Sequence, residues 1–299
     1  MSEPRAVARE AWRAPAKINL WLEIIGRRDD GYHLVDTAYQ AIDLSDTVIL
    51  EPGPGVTCRV TGEAAAGVPE GEENVAVVAA RALAERTGRD PRVAITIEKR
   101  IPAGAGLGGG SSDAAAVLVA LARRFAVPDP AHTLQDLAES LGADVPFFLL
   151  GGTRAGRGIG GDTLAIEPPA ERWGILLWPG EPVATADAYR AWDEAGRGAS
   201  PEAPPAVSAA GWADRRNDLE PVVRARHPAV DRTLELLAAG PAAAARMSGS
   251  GSAAFALYAS AAARDADLPR VREAAAPGAR VWPFSTVSAG VQPAAGPSR

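Results

Sequence analysis

Along the first hundred residues, apolar positions alternate with polar ones more often than they recur at helical spacing. The segments "AKINLWLEII" at 16–25, "VTCRVTG" at 56–62 and "RVAITIEKRIP" at 92–102 each read as a strand, the last ended by Pro102. "LVDTAYQAIDLSDTVILE" at 34–51 reads as two short strands around a turn near Asp43–Asp46, and "GRRDDGYH" at 26–33 as a turn-rich loop. At 74–88, "NVAVVAARALAERTG" switches to helical spacing and carries Gly88 as a stop signal. A glycine-rich stretch follows at 103–110, and "SSDAAAVLVALARRFAV" then reads as a helix. "TLQDLAESLGADVPFFLLGG" predicts a helix that stops at Gly142 and then a short apolar strand.

The second half starts with strands around "DTLAIEPP" and "WGILLWPG". Residues 195–209 form a low-complexity Pro/Ala/Gly loop, and "NDLEPVVRARHPAVDRTLELLAAG" reads as two helices. "AARMSGSGSAAFALYAS" reads as strand, glycine turn, strand; a helix at 262–276 and a last strand "RVWPFSTVS" complete the chain. The last ten residues are expected to be disordered. No repeat is evident. Strands with interspersed helices predict an α+β fold of two sub-domains that meet near residues 150–170, here divided as 1–165 and 166–299.

Composition narrows the class. With 299 residues, 47% of them hydrophobic, the chain can bury one large core or two ordinary ones. No apolar run is long enough to span a bilayer, and the N-terminus lacks the apolar core of a signal peptide. A net charge of -6 argues against a nucleic-acid partner. The single cysteine, Cys58, has no intramolecular partner, which suits a reducing cytoplasm. It is expected to be a small strand hydrophobe. Of 31 lysines plus arginines, only Lys17 and Lys99 are lysine. In so arginine-biased a chain a surviving lysine marks a candidate site for a compact ammonium.

The glycine stretch "IPAGAGLGGGSSDAAAVL" at 101–118 carries the strongest chemical signal. Glycines let the backbone approach a ligand closely, and a loop that opens a helix presents unpaired N–H groups and the positive end of the helix dipole. Together these call for an anion, most often phosphate. Gly104, Gly106 and Gly109 satisfy the dinucleotide pattern G-x-G-x-x-G, but the next element is a second helix, not the strand that a Rossmann unit needs. Gly104 and Gly109 have P-loop spacing, but Gly110 stands where that motif has lysine.

The pattern P-x-x-x-G-L-G-G-G-S-S-D-A-A resembles instead the phosphate loop of the small-molecule kinases typified by galactokinase, homoserine kinase, mevalonate kinase and phosphomevalonate kinase. Within that superfamily the ordered segments "PAKINL", "DGYH", "GLGGGSSDAA", "LGADVPFF" and "MSGSGSAAF" resemble the family of kinases acting on 4-diphosphocytidyl-2-C-methyl-D-erythritol, in non-mevalonate isoprenoid synthesis. The "PAKINL" and "DGYH" pair distinguishes it from sister kinases. The resemblance runs from about Ala14 to about Tyr258. A sister kinase for homoserine or mevalonate, or an inactive binding protein of the same fold, remains as an alternative.

The resemblance implies two sub-domains with the site in the cleft between them, the first of the ribosomal-protein-S5-like type. It implies ATP wrapped by Pro102, Ala103, Gly104, Ala105, Gly106, Leu107, Gly108, Gly109, Gly110, Ser111 and Ser112. Magnesium is expected with ATP, since the loop has no lysine to neutralise phosphate; no metal ligand is assigned. Asp144 matches the catalytic aspartate and Lys17 the lysine beside it, which favours the ionised carboxylate. Asn19, two residues from Lys17 and on the same strand face, would orient the substrate polyol. Tyr32 would stack on the cytosine and His33 bond its edge. Thr185 would line the cleft, with Gly249, Ser250 and Gly251 helping to close it. Asp113 is expected to point away from the phosphates, Lys99 to be an exposed edge cation, and the role of the glycines in "GRGIGGD" at 156–162 is open. A small-molecule substrate is the only partner expected, with no obligate protein partner.

Overall fold

The computed structural model describes residues 9–199 and 206–294. The middle of the Pro/Ala/Gly loop and most of the N-terminal stretch read for a leader lie outside them.

Two sheets organise the chain. β1 (Glu10–Arg27) and β2 (His33–Pro52) form one long antiparallel ribbon. β3 (Thr57–Thr61) and β4 (Val93–Glu98) pair in parallel, so α1 (Val75–Thr87) bridges them as a crossover. β4 lies on the C-terminal half of β2, and β5 (Thr153–Arg157), followed by β6 (Asp162–Ala165), lies on its N-terminal half. The second sheet is antiparallel, in the order β10 (Arg280–Ser285), β7 (Trp173–Trp178), β9 (Ala254–Tyr258), β8 (Ala244–Met247). The α+β expectation with two sub-domains is met in this pair of sheets.

Helices α2 (Gly109–Phe125), α3 (Pro130–Leu141) and α4 (Val145–Leu150) join α1 over one face of the first sheet, around a core that includes Leu118, Leu121, Phe147 and Phe148. Helices α5 (Thr185–Glu194), α6 (Glu220–Arg226), α7 (Pro228–Ala238) and α8 (Ala261–Ala274) supply the core of the second half with Ile175, Leu177 and Ala256. A third core joins the sheets: Ile18, Leu20 and Trp21 of β1 meet Leu176, Phe255, Leu257 and Phe284. β1 is thus covered on both faces, which explains its unbroken burial from Ala14 to Leu22. No helix among the described residues is long and apolar enough to cross a membrane.

Three expectations change. Residues 34–51 belong to one strand, because β1 pairs along its whole length; the expected turn survives as an irregularity, with Pro15 opposite Ser45 and Ala16 opposite Ile42. "VPFFLL" is helix α4: Pro146 suits a first helical turn, and the short apolar run is buried by α2 and not by a sheet. The start of the supposed disordered tail is placed: β11 (Gln292–Pro293) pairs with Trp12 and Arg13, and Val291 donates to the Phe148 carbonyl. Residues 295–299 lie outside the described residues.

Candidate functional site

A cleft of about 1350 Å³ runs between the two halves, and the glycine loop, Lys17, Asn19, Tyr32, His33, Asp144, Thr185, Gly249 and Ser250 all line it. Residues from six separate segments therefore share one cavity.

The glycine loop is built by packing as much as by any ligand. Gly106 has φ +73°, and a Cβ there would collide with the Ser248 carbonyl. Gly108 has φ +69°, and a Cβ would lie 2.6 Å from the Phe148 ring and 3.3 Å from Lys17 Cε. The loop's carbonyls are tied down: Leu107 accepts from Lys17 N, Gly104 from Val183 N and Ala105 from Ala253 N. Its N–H groups are not. Among the described residues the amides of residues 104–111 find no acceptor, and α2 begins at Gly109 with no side-chain cap. A Cβ at Gly110 would meet open space, so this face of the loop is left to a ligand. A row of unpaired amides at a helix start fits a polyphosphate. Ser112 is fully buried and its Oγ has no partner; Pro102 and Ala103 lead into the cradle at its edge.

Next to the loop lie the charged groups. Lys17 and Asn19 alternate with Ile18 and Leu20, which enter the core between the sheets, so the polar pair faces the helices. Lys17 Nζ donates to Asn19 Oδ1 at 2.6 Å and lies 3.3 Å from Asp144 Oδ2. Asn19 Nδ2 in turn donates to Thr37 Oγ1, which fixes the amide's orientation. Asp144 stands at the start of α4 but caps no amide, which leaves its carboxylate for the cleft. Beneath it, burial first and the charge of Asp144 second raise the Tyr39 phenol well above its usual range, so the phenol keeps its proton.

The far end is aromatic. Tyr32 is 64% exposed. His33 stacks on Tyr189 at 4.8 Å and meets the edge of Trp192, while its Nε2 is 2.8 Å from Asp193 Oδ1. Nε2 is therefore engaged, which leaves Nδ1 as the ring nitrogen for a ligand. Thr185 Oγ1 and Ser250 Oγ are 3.0 Å apart and close one wall. Gly251 lies behind that wall, where a Cβ would press on Met247 Sδ.

Several residues that hold the site together were not among the candidates the sequence singles out. Ser248 Oγ donates to the Gly106 carbonyl and accepts from Asn19 N, so one hydroxyl joins the phosphate loop to the polar strand. Asn217 donates to the Met247 and Gly249 carbonyls and accepts from Leu219 N. Tyr189 and Asp193 come from α5, far from His33 in sequence. The glycines at 156–162 serve packing in part: a Cβ at Gly160 would strike Tyr39 Oη. Lys99 is no exposed edge cation. It is 2% exposed and paired with Asp46 and Asp113, because the loop and α2 fold over the end of β4. Asp113 accordingly turns its carboxylate to Lys99.

Comparison with known proteins places this site in a family. Models of the GHMP kinase N-terminal and C-terminal domains match residues 74–152 and 206–276. A 4-diphosphocytidyl-2-C-methyl-D-erythritol kinase of Halorhodospira halophila is 42% identical over 266 residues, covering 87% of this chain and 88% of its own. The same kinase of Thiobacillus denitrificans is 44% identical, covering 84% and 87%. The crystal structure of a 4-(cytidine 5'-diphospho)-2C-methyl-D-erythritol kinase superposes with a TM-score of 0.73 at 33% identity, over 92% of this chain and 98% of that one. A homoserine kinase from Cytophaga hutchinsonii superposes equally well, at 0.74 over 98% and 100% of the two chains, but at 19% identity it speaks for the fold alone. At the identity its relatives reach over most of their length, the chain belongs to the 4-diphosphocytidyl-2-C-methyl-D-erythritol kinases within the GHMP kinases.

Proposed function

We propose that this ATP-dependent kinase transfers the γ-phosphoryl group of ATP to the 2-hydroxyl of 4-diphosphocytidyl-2-C-methyl-D-erythritol, in non-mevalonate isoprenoid precursor synthesis. The observation that carries this reading is the position of the Lys17–Asp144 pair. It stands beside Gly108 of the phosphate loop, in the same cleft as the aromatic end.

The chemistry follows from charge. Asp144 takes the proton of the 2-hydroxyl as that oxygen forms its bond to the γ-phosphorus, and the bond to the β-phosphate oxygen breaks to release ADP. Lys17, 3.3 Å from Asp144, offsets the negative charge that gathers there. Asn19 holds the Lys17 ammonium in place and offers its remaining oxygen lone pair to the polyol. The unpaired amides of 104–111 bind the phosphates. Magnesium would accompany ATP and supply further neutralisation. No group of three or more His, Cys, Asp or Glu side chains that could hold a metal exists among the described residues. The reading places the reaction in the cytoplasm.

The exposed Tyr32 ring offers a stacking face for cytosine and His33 a polar edge beside it. Tyr32→Ala is expected to raise KM for the cytidyl substrate by ~10-fold, the worth of one base stack, and to leave KM for ATP unchanged. Steady-state kinetics with each substrate varied checks this; equal rises in both would place Tyr32 outside the cytidine end. The reading itself is tested by ADP release with the cytidyl substrate, homoserine and mevalonate in parallel. Turnover of homoserine or mevalonate in its place would assign the chain to a sister activity.

A further inference from the structure

Behind the phosphate loop lies a charge cluster that the reaction does not use. Lys99, at the end of β4, donates to Asp46 Oδ2 of β2 at 2.5 Å and to Asp113 Oδ2 in the first turns of α2 at 2.7 Å. All three residues are buried. Asp46 Oδ1 accepts from the amides of Arg100 and Ile101, where β4 turns into the loop. Asp113 Oδ1 is buried and has no partner. The cluster adjoins the cradle: Lys99 Nζ is 3.1 Å from the Cβ position of Gly109, the first residue of α2.

One ammonium faces two carboxylates, so the cluster carries an uncompensated negative charge whenever both are ionised. A buried carboxylate oxygen without a donor is costly in that state. We propose that Asp113 is a positioning residue of the phosphate loop whose protonated form admits nucleotide, because Lys99 and Asp46 then make a neutral pair beneath the cradle. Ionised Asp113 places a like charge under the incoming phosphates at the helix end that should attract them. The inference rests on the phosphates of ATP lying at the glycine loop.

The surroundings agree. Burial above all, with Asp46 adding to it and Lys99 opposing it, lifts the Asp113 carboxyl to about 7. Lys99, drawn by both carboxylates against its own burial, is raised and stays charged. From β3, Cys58 faces the same charge, and burial, Asp113 and Glu70 push its thiol up to about 11, so it stays neutral. From β1, Lys17 approaches the loop at Gly108. The buried residues of α1, α3 and α4 that pack in this half are apolar. Among the described residues Lys99 is therefore the one cation paired with Asp113.

The test is calorimetric binding of a non-hydrolysable ATP analogue with magnesium, from about pH 6 to about pH 9. For the wild type, Kd is expected to rise ~10-fold or more from about pH 7 to about pH 9, with roughly one proton taken up on binding near pH 8. Asp113→Asn keeps an acceptor for Lys99 but has no charge to lose, so its Kd is expected to stay within ~3-fold over that range. A merely structural Asp113 would change thermal stability and leave the two pH profiles parallel. Parallel profiles overturn the proposal, as does the absence of proton uptake by the wild type beyond the nucleotide's own, a result that needs no variant to fold. Gly110→Asp separates the two levels. It sets a carboxylate in the cradle without a clash. Abolished nucleotide binding supports the loop as the phosphate site, and unchanged affinity would overturn that reading and this proposal with it.

Discussion

Asp144→Asn is expected to lower kcat by at least ~100-fold, the lower range for a positioned base, with KM for ATP and for the alcohol little changed. The reason is local. Asparagine keeps the size of the side chain and its oxygen toward Lys17, 3.3 Å away in the native protein, but cannot take the hydroxyl proton. Asp144 caps no helix amide, so the substitution removes no structural hydrogen bond that the start of α4 depends on. Unfolding curves should therefore overlay those of the wild type. A fall in kcat of only a few-fold would mean that the loose phosphoryl-transfer transition state needs no proton acceptor at this position.

Asp46→Ala is expected to produce the largest loss of stability of any single change at the site, ~3–5 kcal/mol by chemical denaturation. Asp46 is fully buried, and its two oxygens accept from Lys99 and from the amides of Arg100 and Ile101. Removal leaves two amides without an acceptor and Lys99 with Asp113 alone. Asp113→Ala is expected to cost less, since the Lys99–Asp46 pair and both amide bonds survive. The pH dependence has a definite sign. The Asp113 carboxyl is raised from 3.8 to about 7, so the stability it contributes as a protonated group is full below about pH 4 and is lost as pH rises through about 7. The stability gap between Asp113→Asn and wild type should accordingly shift in favour of the variant as pH rises across that window. Equal costs for the Asp46 and Asp113 alanine variants would contradict the anchoring role of Asp46.

How far the sequence reveals this site depends on the kind of information each residue carries. The glycine loop, Lys17, Asn19 and Asp144 are visible because their chemistry sits in short local patterns, and the alternation in β1 is enough to put Lys17 and Asn19 on one face. Orientation is not local. His33 spends Nε2 on Asp193, a residue 160 positions away on a helix whose packing no pattern near His33 encodes. Lys99 reads as an edge cation because a charged residue at a strand end usually is one. Only the fold of the loop and α2 over β4 buries it with Asp46 and Asp113. The same gap separates "VPFFLL" as a strand from the helix it forms, since a six-residue apolar run has no period of its own. The arginine bias is informative: both lysines of the chain lie buried beside the phosphate loop, Lys17 against Asp144 and Lys99 between Asp46 and Asp113, where a compact ammonium suits.

This cleft is proposed to move a phosphoryl group onto the 2-hydroxyl of a cytidyl-linked polyol. Phosphorus NMR of the product made by the purified protein from ATP and 4-diphosphocytidyl-2-C-methyl-D-erythritol tests it most directly. One new phosphomonoester signal is expected, coupled to the methyl-bearing carbon at position 2, in step with ADP release and absent with Asp144→Asn. ADP formed without that signal, or a phosphomonoester on a different hydroxyl, would contradict it.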